Sequence, residues 1–360
     1  MNPPTDDDVV LLQEIIERAR RRLTPATWDY LVGAAETETT AKRNRQALDA
    51  IAFRPRVLRD VSEIVCRSSL FGHRLRIPVL LAPIGSLQDF DSGAGTTAAR
   101  AAGEFGVIHV QSSSSAPGLE ATARASDGPK IFQLYVRGDR TWLTDQVERA
   151  MSCGYDGFCL TVDTARYSRR ERDLAKRYVT TARRRVTGAN FQAALNWNDV
   201  THVRSICSTP LLLKGIATAQ DARIALEHGV DGIYVSNHGG RQLDHGRGSM
   251  EVLPEIVEAV GARATVIVDG GIMRGTDVVK ALCLGADAVG LGRLYGFAIA
   301  AGGHAGIVRM LEILEHEIMT CLGLLGVTRL EDLDAEYLHI ASPVNRPHVL
   351  SAFPLLEEGY

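Results

Sequence analysis

From Val79 onward the chain repeats one pattern: a short apolar run rich in Val, Ile and Leu, then a stretch rich in Ala and charge with helical spacing. The runs are 79–83 (VLLAP), 107–112 (VIHVQS), 130–136 (KIFQLYV), 157–163 (GFCLTVD), 210–215 (PLLLKG), 231–237 (DGIYVSN), 264–270 (ATVIVDG) and 288–293 (AVGLGR). A strand with one face in water alternates apolar and polar positions, so continuous apolar runs predict strands buried on both faces. Alternation with helices predicts parallel βαβ units. Eight such units predict an α/β fold of the closed (β/α)8, or TIM, barrel type. The rival is an open Rossmann-type sheet, but no G-x-G-x-x-G opens a helix after the first run.

Ahead of the barrel, helical patterns cover 7–23, 25–32 and 40–51, with Pro25 suited to a first helical turn. Apolar and β-branched residues over 63–69 and 73–79 flank Leu70-Phe71-Gly72 and predict a small antiparallel hairpin. The connection between the fourth and fifth runs is 46 residues, 164–209. Long connections are usually covers or binding loops, so this one is expected to be a mobile active-site lid. From Leu324 the chain reads as a helix end followed by extended segments, an apolar tail suited to covering a neighbouring subunit. The whole chain, 1–360, therefore reads as one domain: helices and hairpin over 1–78, barrel over 79–322 with its lid, and tail over 323–360.

Composition narrows the partners. With 40 Lys and Arg against 43 Asp and Glu the formal charge is -3, which tells against a general nucleic-acid binder and favours small molecules. No uncharged apolar run approaches bilayer length, and acidic residues precede the first apolar stretch, the reverse of an export signal. The six cysteines are scattered, with no C-x-x-C pair and no histidine at finger spacing, so neither a disulfide framework nor a zinc site is expected. Reduced thiols in a cytoplasm are the expectation.

In a (β/α)8 barrel the chemistry sits at the C-terminal ends of the strands. Those ends carry Pro83 and Gly85, Ser112, Gln133 and Tyr135, Thr161 and Asp163, Lys214, Ser236 with His238 and Arg241, Asp269 with Gly270, and Gly292 with Arg293. A base, a carboxylate, a lysine, a phenol and arginines then share one pocket, which is a catalytic composition. Asp269-Gly270-Gly271 and Gly292-Arg293 follow the seventh and eighth runs, where barrels commonly hold a phosphate; the plainer alternative is that the glycines only make tight turns. No acidic cluster at metal spacing accompanies them, so no metal is expected. In Ser236-Asn237-His238-Gly239-Gly240-Arg241 the glycines remove bulk around the imidazole, and Arg241 would be costly to bury unless it meets an anion. A lone strand-end histidine is often a structural hydrogen-bonder. Here the combination favours a base beside an anion clamp.

SNHGGRQLD (236–244), read with LTVDTARYSRRE (160–171), FQLYV (132–136), LLLKG (211–215) and DGGIMRGTD (269–277), resembles the FMN-dependent 2-hydroxy acid oxidase and dehydrogenase family, which includes glycolate oxidase, lactate oxidase and mandelate dehydrogenase. The resemblance runs from about Trp28 to about Leu322. It implies FMN held by Pro83, Gly85, Ser112, Gln133, Thr161, Lys214, Ser236, Asp269, Gly270, Gly271, Gly292 and Arg293. Lys214 would lie near the flavin N1 and C2 oxygen, where a cation stabilises the charge of reduction. His238 would take the substrate proton, Asp163 would hold the resulting imidazolium, and Tyr135 would bond the substrate oxygen. Tyr30, Arg170 and Arg241 would grip the carboxylate of an (S)-2-hydroxy acid, which leaves as the 2-oxo acid. Electrons would pass through flavin N5 to oxygen or another acceptor, in a homotetramer.

Three positions depart from the family pattern. Met273 stands where many members carry an arginine beside the phosphate, with Arg274 adjacent. Gly85 replaces a common alanine near the flavin, leaving room over the ring that would alter oxygen access or product retention, and Ser114 replaces a large aromatic residue of glycolate oxidases, its smallness permitting a bulkier or aromatic substrate side chain. Other readings remain: oxidative decarboxylation as in lactate monooxygenase, oxidation of an amine, an FMN barrel isomerase, or a non-catalytic flavin- or phosphate-binding domain. Tyr30 with Arg170, Arg241 and His238 favours the acid-oxidising site.

Overall fold

The computed structural model describes residues 9–184 and 190–359. Eight parallel strands close into a barrel in chain order: β1 (Val79–Leu81), β2 (Ile108–Ser112), β3 (Lys130–Leu134), β4 (Gly157–Thr161), β5 (Leu211–Ile216), β6 (Gly232–Val235), β7 (Thr265–Val268) and β8 (Ala288–Leu291), with β8 pairing back onto β1. The strands divide their apolar residues between two clusters. Leu80, Ile108, Val110, Ile131, Cys159, Leu212, Tyr234, Ile267 and Ala288 fill the barrel interior. Their neighbours in sequence, such as Val79, Leu81, Phe132, Leu160, Leu213, Ile233 and Val268, pack outward against the helices. Two buried faces explain the unbroken apolar runs.

Most of the predicted runs overshoot the C-terminal end of their strand, because the polar residues that close each run already belong to the loops above the barrel. The hairpin is shorter than expected, Ser68–Leu70 against His73–Leu75. Phe71 and Gly72, at φ 50° and 83°, make the two-residue turn whose positive φ values match strand twist. Leu70 and Leu75 belong to the interior cluster, and a Cβ at Gly232 would lie 3.2 Å from the Phe71 ring. The hairpin thus plugs the N-terminal mouth and leaves only the opposite mouth open.

The N-terminal helices are Leu12–Arg22, Pro25–Val32 and Thr39–Asp49; the first begins later than the spacing predicts, and residues 1–8 lie outside the described residues. Asp244, in the loop after β6, clasps this segment by accepting bonds from the Thr37 N–H (3.0 Å), the Thr37 hydroxyl (2.7 Å) and the Thr40 N–H (2.8 Å). Burial alone would raise its pKa, but these bonds hold it down at about 2.

The long connection is not one loop. Its end is the helix Trp197–Ile206, opened by a capping box in which Asn196 and Asp199 satisfy each other's backbone N–H groups. The part before it, which includes the helix Glu171–Ala175, folds over the open mouth, and residues 185–189 lie outside the described residues.

The helix Arg293–Leu325 is long and apolar enough to cross a membrane by length and composition, although Arg309, Glu312, Glu315 and Glu317 interrupt its apolar run. Gly303, at φ 58° and ψ -129°, breaks it in two, and it packs against Leu12–Arg22 and Ala94–Phe105 as a core helix of the barrel. The tail packs on its own chain: Leu338–Ile340 pairs antiparallel with Ile51–Phe53, and Phe353 is buried in the core. All six cysteines are free thiols.

If the hairpin is a plug rather than an ornament, Leu75→Ala should destabilise the protein by about 2–5 kcal/mol. Arg74→Ala, on the exposed side of the same strand, should stay within about 0.5 kcal/mol. Chemical denaturation of both variants measures the difference, and equal effects would remove the plug.

Candidate active site

The strand ends meet at a cavity of about 630 Å³. Of the residues singled out in the sequence, Tyr30, Pro83, Gly85, Tyr135, Arg170, Lys214, His238, Arg241, Asp269, Gly270, Gly271, Gly292 and Arg293 line it. Ser112, Gln133, Thr161 and Ser236 are buried beneath it and do not face the open space, and Asp163 stands behind His238.

Parallel pairing with no side chain to spare builds the floor. Thr161 on β4 is in register with Lys214 on β5, which in turn is in register with Tyr234 on β6. Lys214 Nζ donates to Ser236 Oγ (2.7 Å) and pairs with Asp269 (3.1 Å), while the Ser236 hydroxyl donates to Asp269 (2.6 Å). Burial would lower the lysine pKa, but Asp269 and Asp163 raise it on balance, so the cation persists in the floor. Gln133 Nε2 donates to the Thr161 hydroxyl (2.8 Å), whereas its buried Oε1 has no partner.

His238 sits at φ 59°, and its Nδ1 faces Asp163 Oδ1 at 3.0 Å. An ionised carboxylate only accepts, so Nδ1 carries the proton and Nε2 the lone pair. The Tyr135 hydroxyl, 3.2 Å from Nε2, then donates to it. Burial lowers the His238 pKa, Asp163 pulls it back up, and Lys214 and Arg170 push it down again; the balance is below the ordinary histidine value. Asp163 itself would be raised by burial, but His238 and Lys214 hold it below the usual carboxylate range. The pair is therefore a neutral imidazole oriented by a carboxylate.

Arg241 Nη1 donates to the carbonyls of Tyr30 (2.6 Å) and Gly33 (2.8 Å), and its guanidinium lies 4.7 Å from the Tyr30 ring centre. Arg170 donates from Nε to the Arg241 carbonyl at 3.3 Å. The Tyr30 hydroxyl donates to the Gly85 carbonyl at 3.1 Å. Arg293 donates to the Gly239 and Gly33 carbonyls (2.8 and 2.7 Å), with its Nε buried and unpartnered. Burial, then Arg241 and Arg170, push the Arg293 pKa down to about 9. Buried guanidinium groups without carboxylates are stable only where anions come to them.

Arg274 turns away from the cavity. It pairs with Glu317 (2.7 Å) and lies 5.5 Å from the Phe353 ring centre, so the phosphate contact left open in the sequence falls to other groups. Met273 lines the cavity instead. At Gly85 a Cβ would stand 3.4 Å from the Ser114 Cβ, so an alanine would fit and the glycine is not forced by packing. The space beside Ser114 is not an apolar slot, because Arg137 Nη2 donates to its hydroxyl at 2.6 Å.

Two functional residues went unread. Gln192, in the cover, accepts from the Val136 N–H (2.6 Å) and donates to the Thr161 carbonyl (2.7 Å), tying the cover to the ends of β3 and β4. Arg137 was readable in principle, two residues beyond Tyr135 and so on the same side of an extended chain. Gln192 gave no pattern of its own.

Residues 19–340 match the family model described as FMN-dependent dehydrogenase. This chain belongs to that family. It is 37% identical to glycolate oxidase 3 of Arabidopsis thaliana, over 96% of this chain and 99% of the relative, and 37% identical to L-lactate oxidase of Nostoc sp., over 91% and 98%. A crystal structure of mandelate oxidase with 3,3-difluoro-2-hydroxy-3-phenylpropionic acid superposes with a TM-score of 0.86 at 37% identity, covering 93% of this chain and 100% of the other. The chain is an FMN-dependent oxidoreductase of the 2-hydroxy acid oxidase family, acting on CH–OH groups. Its own residues fit FMN. The floor holds the Lys214 cation and an amide oxygen lacking a donor, and Gly270 and Gly271, at φ 107° and 87°, line the cavity with backbone alone, because a Cβ there would run into Ser249 and Asn44.

With Arg274 turned away, Arg293 is the arginine expected to meet the phosphate. Arg293→Met should weaken FMN binding about tenfold or more, the size of one charge-assisted hydrogen bond, and leave riboflavin nearly unaffected. Fluorescence titration of apoprotein with the two flavins separates these outcomes. An equal loss for both would mean the arginine serves packing alone.

Proposed function

We propose that the cavity oxidises an (S)-2-hydroxy acid to its 2-oxo acid, with His238 as the base. The observation that carries this reading is the His238 ring, held by Asp163 at 3.0 Å and lining the cavity beside Arg170 and Arg241, neither of which has a carboxylate partner among the described residues. Bound FMN supplies the acceptor for the electron pair that leaves the α-carbon. Pro83, Gly85, Ser112, Gln133, Thr161, Ser236, Asp269, Gly270, Gly271, Gly292 and Arg293 would hold it, and the Lys214 cation would balance the charge it gains.

Arg170 and Arg241 take the substrate carboxylate, and the Tyr30 hydroxyl adds a third donor. Fixing the carboxylate leaves the C2 hydroxyl within reach of His238 Nε2, which accepts its proton. Tyr135 now donates to the substrate oxygen instead of the imidazole. Asp163 holds the imidazolium until the proton leaves.

Replacing His238 by Asn should slow anaerobic flavin bleaching by about a thousandfold or more while leaving FMN bound, since general base catalysis alone is worth about 10²–10⁴. Because the base must be neutral and its pKa is lowered, activity should persist to pH values below the ordinary histidine pKa and fall only as His238 protonates. Asp163→Asn removes the upward pull, so the acid limb should move to still lower pH as the rate drops. Stopped-flow bleaching across pH reads all three. A full rate in the His238 variant would remove the histidine from the chemistry.

A further inference from the structure

Six arginines line the cavity: Arg137, Arg166, Arg170, Arg183, Arg241 and Arg293. None is in an ion pair among the described residues. The only carboxylate among the lining residues is Asp269, already engaged by Lys214 and Ser236. Burial raises the Asp173 pKa on balance, against the downward pull of Arg241, Arg170 and Arg183, and Asp173 forms no ion pair with any of them among the described residues. One substrate carboxylate and one cofactor phosphate would occupy Arg170, Arg241 and Arg293. Arg183 lies 3.8 Å from the ring centre of Tyr167. Arg137 and Arg166 have no such support among the described residues, and of the two Arg137 is the one whose guanidinium is tied to the cavity wall by a hydrogen bond.

Its position gives the excess charge a direction. Arg137 follows Tyr135 by two residues past the end of β3, and its guanidinium holds the Ser114 hydroxyl at 2.6 Å. Ser114 is next to Gly85, whose carbonyl receives the Tyr30 hydroxyl. Arg137 therefore stands on the wall that also presents the two phenols assigned to the substrate. Arg137 is exposed at the cavity wall and forms no ion pair among the described residues. A guanidinium aimed across a cavity by one neutral hydroxyl is a donor fork still open to an anion.

We propose that Arg137 is a second anion-binding residue, so that the acid oxidised here carries a further negative group, a carboxylate or a phosphate, on its side chain. This rests on the 2-hydroxy acid reading of the cavity. It replaces the bulky apolar side chain that a serine at 114 suggests, because the guanidinium occupies that wall.

The test uses FMN-loaded protein and 2-oxo acids, which resemble the product and are not oxidised. Flavin absorbance is titrated with 2-oxobutanoate, phenylglyoxylate, 2-oxoglutarate and 3-phosphohydroxypyruvate. The last two should bind about tenfold or more tightly than the first two, the worth of one charge-assisted hydrogen bond; whichever of the pair binds better identifies carboxylate or phosphate. Arg137→Gln should remove the preference and Arg137→Lys should keep part of it, with flavin content confirming that both variants fold. Tighter binding of phenylglyoxylate, or a dianion preference that survives Arg137→Gln, overturns the proposal. Anaerobic mixing with the matching hydroxy acids separates the two levels: bleaching by monoanionic acids alone sinks only the second anion, whereas no bleaching by any of them sinks the oxidase reading with it.

Discussion

A buried carboxylate beside a buried imidazole draws a proton onto the ring, and the site between Asp163 and His238 has its character because that pull is outweighed. Burial removes water from the imidazole, and Lys214 and Arg170 add positive potential. The ring stays neutral at rest and keeps its lone pair toward the cavity. When it accepts a proton, the same carboxylate is already in place to stabilise it. A base of this kind needs a low resting pKa and a strong partner together, and a cation-lined cavity backed by one buried aspartate provides both.

The cations need explanation in their turn. Arg170, Arg241 and Arg293 direct hydrogen bonds to backbone carbonyls of the N-terminal segment and of the loop after β6. Those bonds fix the guanidinium groups without neutralising them. The N-terminal helices are therefore part of the site: Asp244 clasps the chain at Thr37 and Thr40, which brings Tyr30 and the Gly33 carbonyl to the mouth. Below, the hairpin seals the other end of the barrel, so all access is from the side where the charges converge.

Much of this was legible in the sequence for one physical reason. Strands buried on both faces leave unbroken apolar runs, and the polar residue that ends each run is the one delivered to the mouth. Hence the barrel, the helix at Pro25–Val32 and the meeting of Lys214, His238, Asp269 and Arg293 could all be read from pattern and resemblance. What escaped was set by tertiary partners. Trp197–Ile206 hid inside an apparent loop, although Asn196 and Asp199 carry its capping signal. Arg274 turned outward because Glu317 and Phe353 lie there, and no local pattern announces either. Ser114 read as empty space because the residue that fills it, Arg137, comes from the next strand.

The protonation of His238 tests the account most directly. With histidines labelled by ¹⁵N in the FMN-loaded protein, and its resonance assigned by loss in a His238 variant, NMR reports the state of each ring nitrogen. The ring should be neutral at pH 7, protonated at Nδ1 alone, and should titrate below the ordinary histidine value. A ring protonated on both nitrogens at pH 7 would contradict it, because an imidazolium already facing Asp163 has no lone pair with which to begin the reaction.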